Sequence, residues 1–294
     1  MHIRQRTFAD IYNYLIDQLP IYKTDIDCRG LHICYEMINV ELRSFHNNKV
    51  YIFSNFNSRC VPIRFILAEF LWILSSSNEL YDIARFNSRM MHFSDDKVVL
   101  NGAYGHRLKG QLEAAIDRII EDKHTRQAFV DIHHPYDAIK KSKDIPCNTS
   151  IQFLIRNDKL NMRIISRSSD FVTGLCIDLV HWQILLQLFL NTLKKTYPML
   201  LPGEIVYHIG SLHVYDIDKF LMEKWKTDIK SDQYTHDFHI RDDFFSLRKR
   251  TLSEFKDAEL LVDLAKIYDF SMWETDRLLE MNKDFVRQKS RPVR

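Results

Sequence analysis

Arg167-Ser-Ser-Asp-Phe-Val-Thr-Gly-Leu-Cys-Ile-Asp178 leads from a strand pattern into a helix pattern. Upstream, Leu160 to Ser166 alternates apolar and polar residues, the period of a half-buried strand. Thr149 to Ile155 alternates in the same way, and Arg156-Asn-Asp-Lys159 between them supplies a polar hairpin turn. Downstream, Leu179 to Lys195 reads as a long buried helix, closed by Lys194, Lys195 and then Pro198. Asp178 stands just ahead of that helix, where aspartate is favoured as an N-cap.

Further out, Gln127 to Ile132 and Ile205 to Tyr215 read as strands, and residues 31–53 are strand-like. Ile11 to Leu19 is a short amphipathic helix, and Leu108 to Asp122 a longer one with a Leu112, Ala115, Ile119, Ile120 stripe. Arg64 to Ser75 is apolar around most of a helix and should be buried. Strands and helices mixed without βαβ regularity indicate an α+β fold. The absence of repeats or flexible linkers indicates one domain over 1–294.

The chain is 46% hydrophobic, and 41 basic against 39 acidic residues leave a net charge of +2. That balance gives no sign of a nucleic-acid coat or a polybasic membrane anchor. Five cysteines without CxxC, and histidines such as His133-His134 without ligand spacing, indicate no metal and reduced thiols. The apolar run Leu179 to Leu190 is shorter than the roughly 20 residues of a membrane span. A cytoplasmic protein without membrane or nucleic-acid partners is expected. The basic tail, Gln288 to Arg294, is expected to be mobile.

Cys147 follows Pro146 at the start of a strand. A lone cysteine is ordinarily a small buried hydrophobe. As a nucleophile it needs a thiolate stabilised by nearby positive charge, and Arg167 on the following strand is the candidate source. Glu69 sits among apolar residues, which is costly unless it is paired or protonated; a raised pKa there suits acid–base work. His213 and Tyr215 alternate on one strand and so share a face.

Three segments, Asp144-Ile-Pro-Cys147-Asn148, Arg167 to Asp178 and Gly210-Ser-Leu-His213-Val-Tyr215, in this order and at these separations, resemble the thymidylate synthase superfamily. The resemblance covers roughly residues 60 to 230. It implies a thymidylate synthase-like mixed sheet packed with helices, paired sheet to sheet in a homodimer. It implies that Cys147 adds to C6 of a pyrimidine nucleoside monophosphate and that 5,10-methylenetetrahydrofolate is the co-substrate. Arg167 and Ser168 match the phosphate grip. Arg126 matches an arginine that reaches the partner's phosphate site, and Arg29 the arginine of an N-terminal phosphate loop. Glu69 matches the residue that organises water and moves protons at the base. Tyr104, in Asn-Gly-Ala-Tyr-Gly, matches a tyrosine near C5. His213 and Tyr215 match the pair that bonds the sugar 3′-hydroxyl. Asp170 matches the contact to the folate pterin, and Gly174 the glycine that lets base and folate stack. Met90 falls where synthases carry a tryptophan that shields the methylene.

Asp178 occupies the position that is asparagine in enzymes methylating uracil and aspartate in the branch that hydroxymethylates cytosine nucleotides. Cytosine presents a donor at N4 and an acceptor at N3; a carboxyl group accepts from N4 and shares a proton with N3. Asn148 replaces the usual histidine after the cysteine, which that branch also tolerates. The resemblance thus implies a cytidylate 5-hydroxymethyltransferase. It leans to dCMP over CMP, because Ser168 fills the room a 2′-hydroxyl needs. A CMP enzyme, a methylating synthase and a non-catalytic nucleotide binder are the alternatives.

Overall fold

The computed structural model describes all residues except Arg6, Arg29, 53–61, 229–235 and 290–294. Its strands are β1 (His2–Gln5), β2 (Lys23–Cys28), β3 (Leu31–Phe45), β4 (Val50–Ile52), β5 (Phe129–Asp131), β6 (Asn148–Arg156), β7 (Lys159–Asp170), β8 (Leu201–Tyr215) and β9 (His236–Phe238). Seven form one mixed sheet in the order β1-β3-β8-β7-β6-β5, with β2 also on β3; β4 and β9 pair separately. Its helices are α1 (Phe8–Gln18), α2 (Ile63–Ser75), α3 (Leu80–Ala84), α4 (Tyr104–Arg107), α5 (Gln111–Glu121), α6 (Gly174–Leu193), α7 (Lys219–Asp228), α8 (Phe244–Glu254), α9 (Leu261–Ile267) and α10 (Met272–Lys289). The α+β expectation holds.

The hairpin expected at Arg156–Lys159 is present, with Arg156 opposite Lys159. Its two central residues, Asn157 and Asp158, take φ of 51° and 54°. Asn and Asp tolerate this left-handed conformation, and two such residues give the turn whose twist matches the strands. β7 and β8 then run parallel, joined by α6 as a single crossover. The ends of β7 and β8, the start of β6 and the start of α6 therefore meet at one edge of the sheet.

Helix starts are where expectation and structure part. The helix anticipated from Leu108 begins at Gln111, because Gly110 at φ 76° interrupts the chain and leaves α4 as a separate turn. The helix anticipated from Leu179 begins at Gly174. The Asp170 carboxylate accepts from the Val172 and Thr173 main-chain N–H groups and organises that entry. Asp178 is thus inside the helix, and the N-cap reading is incorrect. α6 spans 20 residues and is long and apolar enough to cross a membrane, beyond the shorter run read from sequence; 78% of its most apolar window is buried inside the chain. It packs on β7 and β8, with α2, α5 and α8 beyond.

α2 buries ten apolar side chains, including Phe70 and Trp72. Each is worth about 1.5–3 kcal/mol, far more than any helix propensity could supply. The carboxy-terminal helices α8, α9 and α10 all pack against α2. α10 continues to Lys289, so Gln288 and Lys289 of the expected tail are helical; 290–294 lie outside the described residues.

Candidate active site

Register assembles the site. Asn148 lies opposite Ser166, and on the other side of β7, Ser168 and Asp170 lie opposite Ser211 and His213 of β8. The Arg167 N–H and the Ser166 hydroxyl both donate to the Cys147 carbonyl, at 2.9 and 3.0 Å. On the opposite side of β7, Gly210 of β8 permits close approach of the two strands: a Cβ there would overlap the Arg167 carbonyl.

The Ser168 hydroxyl donates to Cys147 Sγ at 3.6 Å. Arg167 donates from Nη1 to Ser168 Oγ, and from Nε and Nη2 to the Pro146 and Ile145 carbonyls. Three N–H groups are thereby used and two remain for an anion. Burial pushes the Cys147 thiol above its ordinary range, and the opposing pulls of Arg167 and Ser168 do not overcome it. The expected thiolate is therefore not the resting form. A sulfur held as a thiol must lose its proton as it attacks.

Next to the sulfur lies a buried polar cluster. Asn148, fully buried, donates from Nδ2 to Tyr104 Oη at 3.0 Å and to Asp178 Oδ2 at 3.1 Å. Tyr207, also fully buried, lies 2.6 Å from Asn148 Oδ1 and 3.0 Å from Asp178 Oδ2. Burial raises the Asp178 pKa to about 6, against the pull of both neighbours. Burial, followed by the charges of Asp178 and Cys147, holds the Tyr104 hydroxyl protonated far above its usual range. Tyr104 can relay a proton but is no standing base.

Tyr104 is fixed from two sides. Gly105 packs so tightly that a Cβ would overlap the Ile73 carbonyl of α2. Arg107, on the same turn, donates to both Asp137 oxygens and to the Asn101 and Ile132 carbonyls. That bidentate pair holds the Asp137 carboxyl at about 2. Asp144, from the cysteine segment, accepts from the Gly102 N–H at 2.6 Å and so ties the two loops together.

Glu69 projects from α2 toward this cluster. Burial, then Asp178, then Asp144, raises its pKa to about 8. His181 Nε2 is 3.9 Å away, but that nitrogen also lies 2.9 Å from the Ile66 carbonyl. Burial lowers the His181 pKa to about 4, so it is neutral and forms no ion pair with Glu69. A group that titrates near 4.5 unfolded and near 8 folded takes up a proton on folding. Its stabilising contribution is complete below about pH 4.5 and is lost as pH rises to about 8. Glu69→Gln should remove that slope and raise stability at pH 8 by on the order of a few kcal/mol. Denaturant melts of both proteins at pH 5 and pH 8 measure it.

His213 is buried, and its Nε2 has no hydrogen-bond partner among the described residues. Ser211 Oγ donates to Glu36 and lies 3.2 Å from His213 Nδ1. With the Ser211 proton committed to Glu36, Nδ1–H is the donor to Ser211, and Nε2 is left as a bare acceptor. Burial lowers the His213 pKa, which keeps that tautomer neutral. An acceptor aimed this way suits an incoming hydroxyl. The Tyr215 ring lies edge-on to His213 at 4.9 Å, and Tyr215 borders a surface cleft with Leu31, His92, Phe93 and Lys143.

Asp170 spends its carboxylate on the turn before α6. At Gly174 a Cβ would meet nothing closer than 3.8 Å, so no protein atom requires glycine there. The missing side chain leaves room for a flat ring above the helix start. Arg126, expected to serve a partner's phosphate site, is not gathered into this chain's own site. Arg126 is exposed, and its carbonyl accepts from Gln152 Nε2, five residues along β6 from Cys147, about 16 Å. Arg29 lies outside the described residues. Conversely, Tyr207, Asp144 and His181 belong to the site environment and were not anticipated. The signal for Tyr207 was its shared parity with His213 and Tyr215 on β8.

A sequence profile described as thymidylate synthase matches residues 24–270. The chain belongs to the thymidylate synthase family. It is similar to a deoxyuridylate hydroxymethyltransferase of Delftia phage PhiW-14, 37% identical over 132 residues, which is 40% of this chain and 37% of the relative. It is similar to a deoxycytidylate 5-hydroxymethyltransferase of Enterobacteria phage T6, 24% identical over 194 residues, 62% of this chain and 77% of the relative. A thymidylate synthase of Mycoplasma genitalium is 26% identical over 125 residues, 42% of each chain. The match spans only about a third of the length of the viral deoxyuridylate hydroxymethyltransferases.

Proposed function

We propose that the chain is a cytidylate 5-hydroxymethyltransferase acting on dCMP, with 5,10-methylenetetrahydrofolate as co-substrate. The observation that carries this reading is Asp178, a half-buried carboxyl group whose proton is held to about pH 6 beside the nucleophile. Such a group accepts from the cytosine N4 amino group and shares its proton with N3.

The folate supplies the one-carbon unit and the stacking surface that the space at Gly174 can take. The remaining steps belong to the chain. Cys147 Sγ bonds to C6 as its proton leaves, and the proton shared by Asp178 at N3 makes C6 more electrophilic. C5 becomes the nucleophile and takes the one-carbon unit. Loss of the C5 proton to water, with the Tyr104 hydroxyl as relay, breaks the bond to the folate, releases tetrahydrofolate and leaves an exocyclic methylene on C5. Water adds to the exocyclic methylene, guided by Glu69, and Cys147 departs to leave the 5-hydroxymethyl product. The two unused Arg167 donors, Ser168 and the partner subunit's copy of Arg126 hold the phosphate. His213 Nε2 accepts from the 3′-hydroxyl, with Tyr215 beside it.

The homodimer belongs to the same proposal. β3 alternates buried residues with outward ones, and Ile38 and Phe45, with Phe129 of β5, are exposed large hydrophobics. A second copy laid sheet to sheet covers them and brings Arg126 toward the neighbouring site. A cytoplasmic setting suits free thiols and a nucleotide substrate.

One observation favours a uracil reading: relatives 34–37% identical over their matched segments carry the deoxyuridylate name. Competition between dCMP, dUMP and CMP with labelled methylenetetrahydrofolate decides. Turnover of dCMP should exceed the others by at least about tenfold, with tetrahydrofolate as the only folate product. Faster turnover of dUMP transfers the assignment to uracil, and dihydrofolate formation makes it a methylating synthase.

A further inference from the structure

We propose that Tyr207 is a positioning residue whose hydroxyl switches partner as Asp178 gives up its proton. It points to Asn148 while the carboxyl group is neutral and turns to Asp178 once the carboxylate forms. The inference rests on the cytidylate reading above and concerns how the same site tolerates the charge it must develop.

The hydrogens available to the cluster are few. Asn148 Nδ2 has two, and both are placed, on Tyr104 Oη and on Asp178 Oδ2. Tyr207 has one hydroxyl hydrogen; the Ser166 hydroxyl also bonds its oxygen, and two competing acceptors lie within reach, Asn148 Oδ1 at 2.6 Å and Asp178 Oδ2 at 3.0 Å. Turning the Asn148 amide over does not remove the conflict. It would set a nitrogen 2.6 Å from Tyr207, short for N–H···O, and an oxygen 3.1 Å from Asp178 Oδ2. With the orientation so fixed, the short contact takes the Tyr207 hydrogen. The 3.0 Å contact then needs a proton on Asp178, which donates to Tyr207 Oη. A closed ring results: Asn148 donates to Asp178, Asp178 to Tyr207, and Tyr207 to Asn148.

When the proton passes from Asp178 to N3 of the base, that ring opens. Rotation about the Tyr207 C–O bond redirects its hydrogen from Asn148 Oδ1 to the new carboxylate. No heavy atom needs to move, and the charge-assisted bond is stronger than the neutral one it replaces. Other ionisable groups face Asp178 from every side: Glu69 from α2, Tyr104 from α4, Cys147 ahead of β6 and Tyr207 from β8. None of these is cationic, so the Tyr207 and Asn148 donors carry the stabilisation of the carboxylate.

The test is Tyr207→Phe in the full chain. Phe keeps the buried ring, and a thermal melt checks that the variant is folded. The expected result is a kcat for dCMP lower by about 10- to 100-fold with KM changed less than about threefold. The pH at which dCMP binding falls to half should move upward by roughly one pH unit, because the ionised form has lost a donor. A purely packing role moves neither the pH profile nor the kcat-to-KM split. Should the Phe variant not fold, the wild type carries the test. An infrared carboxylic-acid band at pH 5, absent in Asp178→Asn, should shift on deuteration together with a tyrosine C–O band. Uncoupled bands overturn the inference. Wild-type kcat and pH profile in Tyr207→Phe overturn it while leaving the cytidylate reading intact. A wild-type protein that turns over no cytosine nucleotide removes both.

Discussion

Cys147→Ser should lower dCMP turnover by about 10⁴-fold or more while nucleotide affinity stays within about threefold. Serine is nearly the size of cysteine, so the loop carbonyls that hold Arg167 and the strand contact to Ser166 remain. What changes is the nucleophile. The thiol already starts above its ordinary pKa because it is buried, and only Arg167 and Ser168 oppose that burial. A hydroxyl in the same place begins several units higher still, and the same two groups cannot make it an alkoxide near neutral pH. Release of tritium from [5-³H]dCMP measures the step, and equilibrium binding of dCMP measures the site. A wild-type protein that binds dCMP tightly and releases no tritium is a non-catalytic binder. A Cys147→Ser protein that keeps wild-type release has its sulfur in a structural role, and the proposed chemistry fails.

The elements with strong local patterns were legible before any coordinates. The β6–β7 hairpin shows as alternation on both sides of Asn157-Asp158, and α2 as a helix apolar around most of its surface. The motif residues Cys147, Arg167, Ser168, Asp178 and His213 converge because antiparallel and parallel register align their strand ends. Helix starts were harder to read. Thr173-Gly174 looks like a breaker, yet the Asp170 side chain, reaching forward to Val172 and Thr173, lets a helix begin there. The protonation states were beyond sequence altogether. That Glu69 faces two other carboxylates, Asp144 and Asp178, with a neutral His181 beside it, depends on contacts between segments far apart in the chain. Tyr207 had a visible parity but no motif, and only its distances to Asn148 and Asp178 give it a task. The three carboxy-terminal helices are polar on one side, and their common partner α2 is nearly 200 residues away.

Asp178→Asn should reverse base preference, with dCMP kcat/KM falling by about 10²- to 10³-fold and dUMP binding improving by at least about tenfold. An amide has no proton to share with N3 of cytosine, but it pairs a donor with O4 and an acceptor with N3–H of uracil. The Asn148 bond survives at an amide oxygen placed where Asp178 Oδ2 lies, and the single Tyr207 hydrogen then serves either that oxygen or Asn148 Oδ1. The loss is therefore in recognition and not in folding, and at pH 7 the variant should melt no lower than wild type, because the penalty of ionising Asp178 is gone. The pH dependence separates this from a general disturbance. Asp178 titrates from 3.8 in its ordinary state to about 6 when folded, so its carboxylate takes up a proton on folding. The associated stability is complete below about pH 3.8 and is lost as pH rises to about 6. The dCMP affinity that depends on the same proton weakens above about pH 6. In Asp178→Asn both slopes vanish, since no titrating group remains at that position. Steady-state rates with dCMP and dUMP from pH 5 to pH 8 read all of this in one series. If base preference is unchanged and the pH slope persists, the carboxyl group does not meet the pyrimidine edge, and the cytosine assignment falls with it.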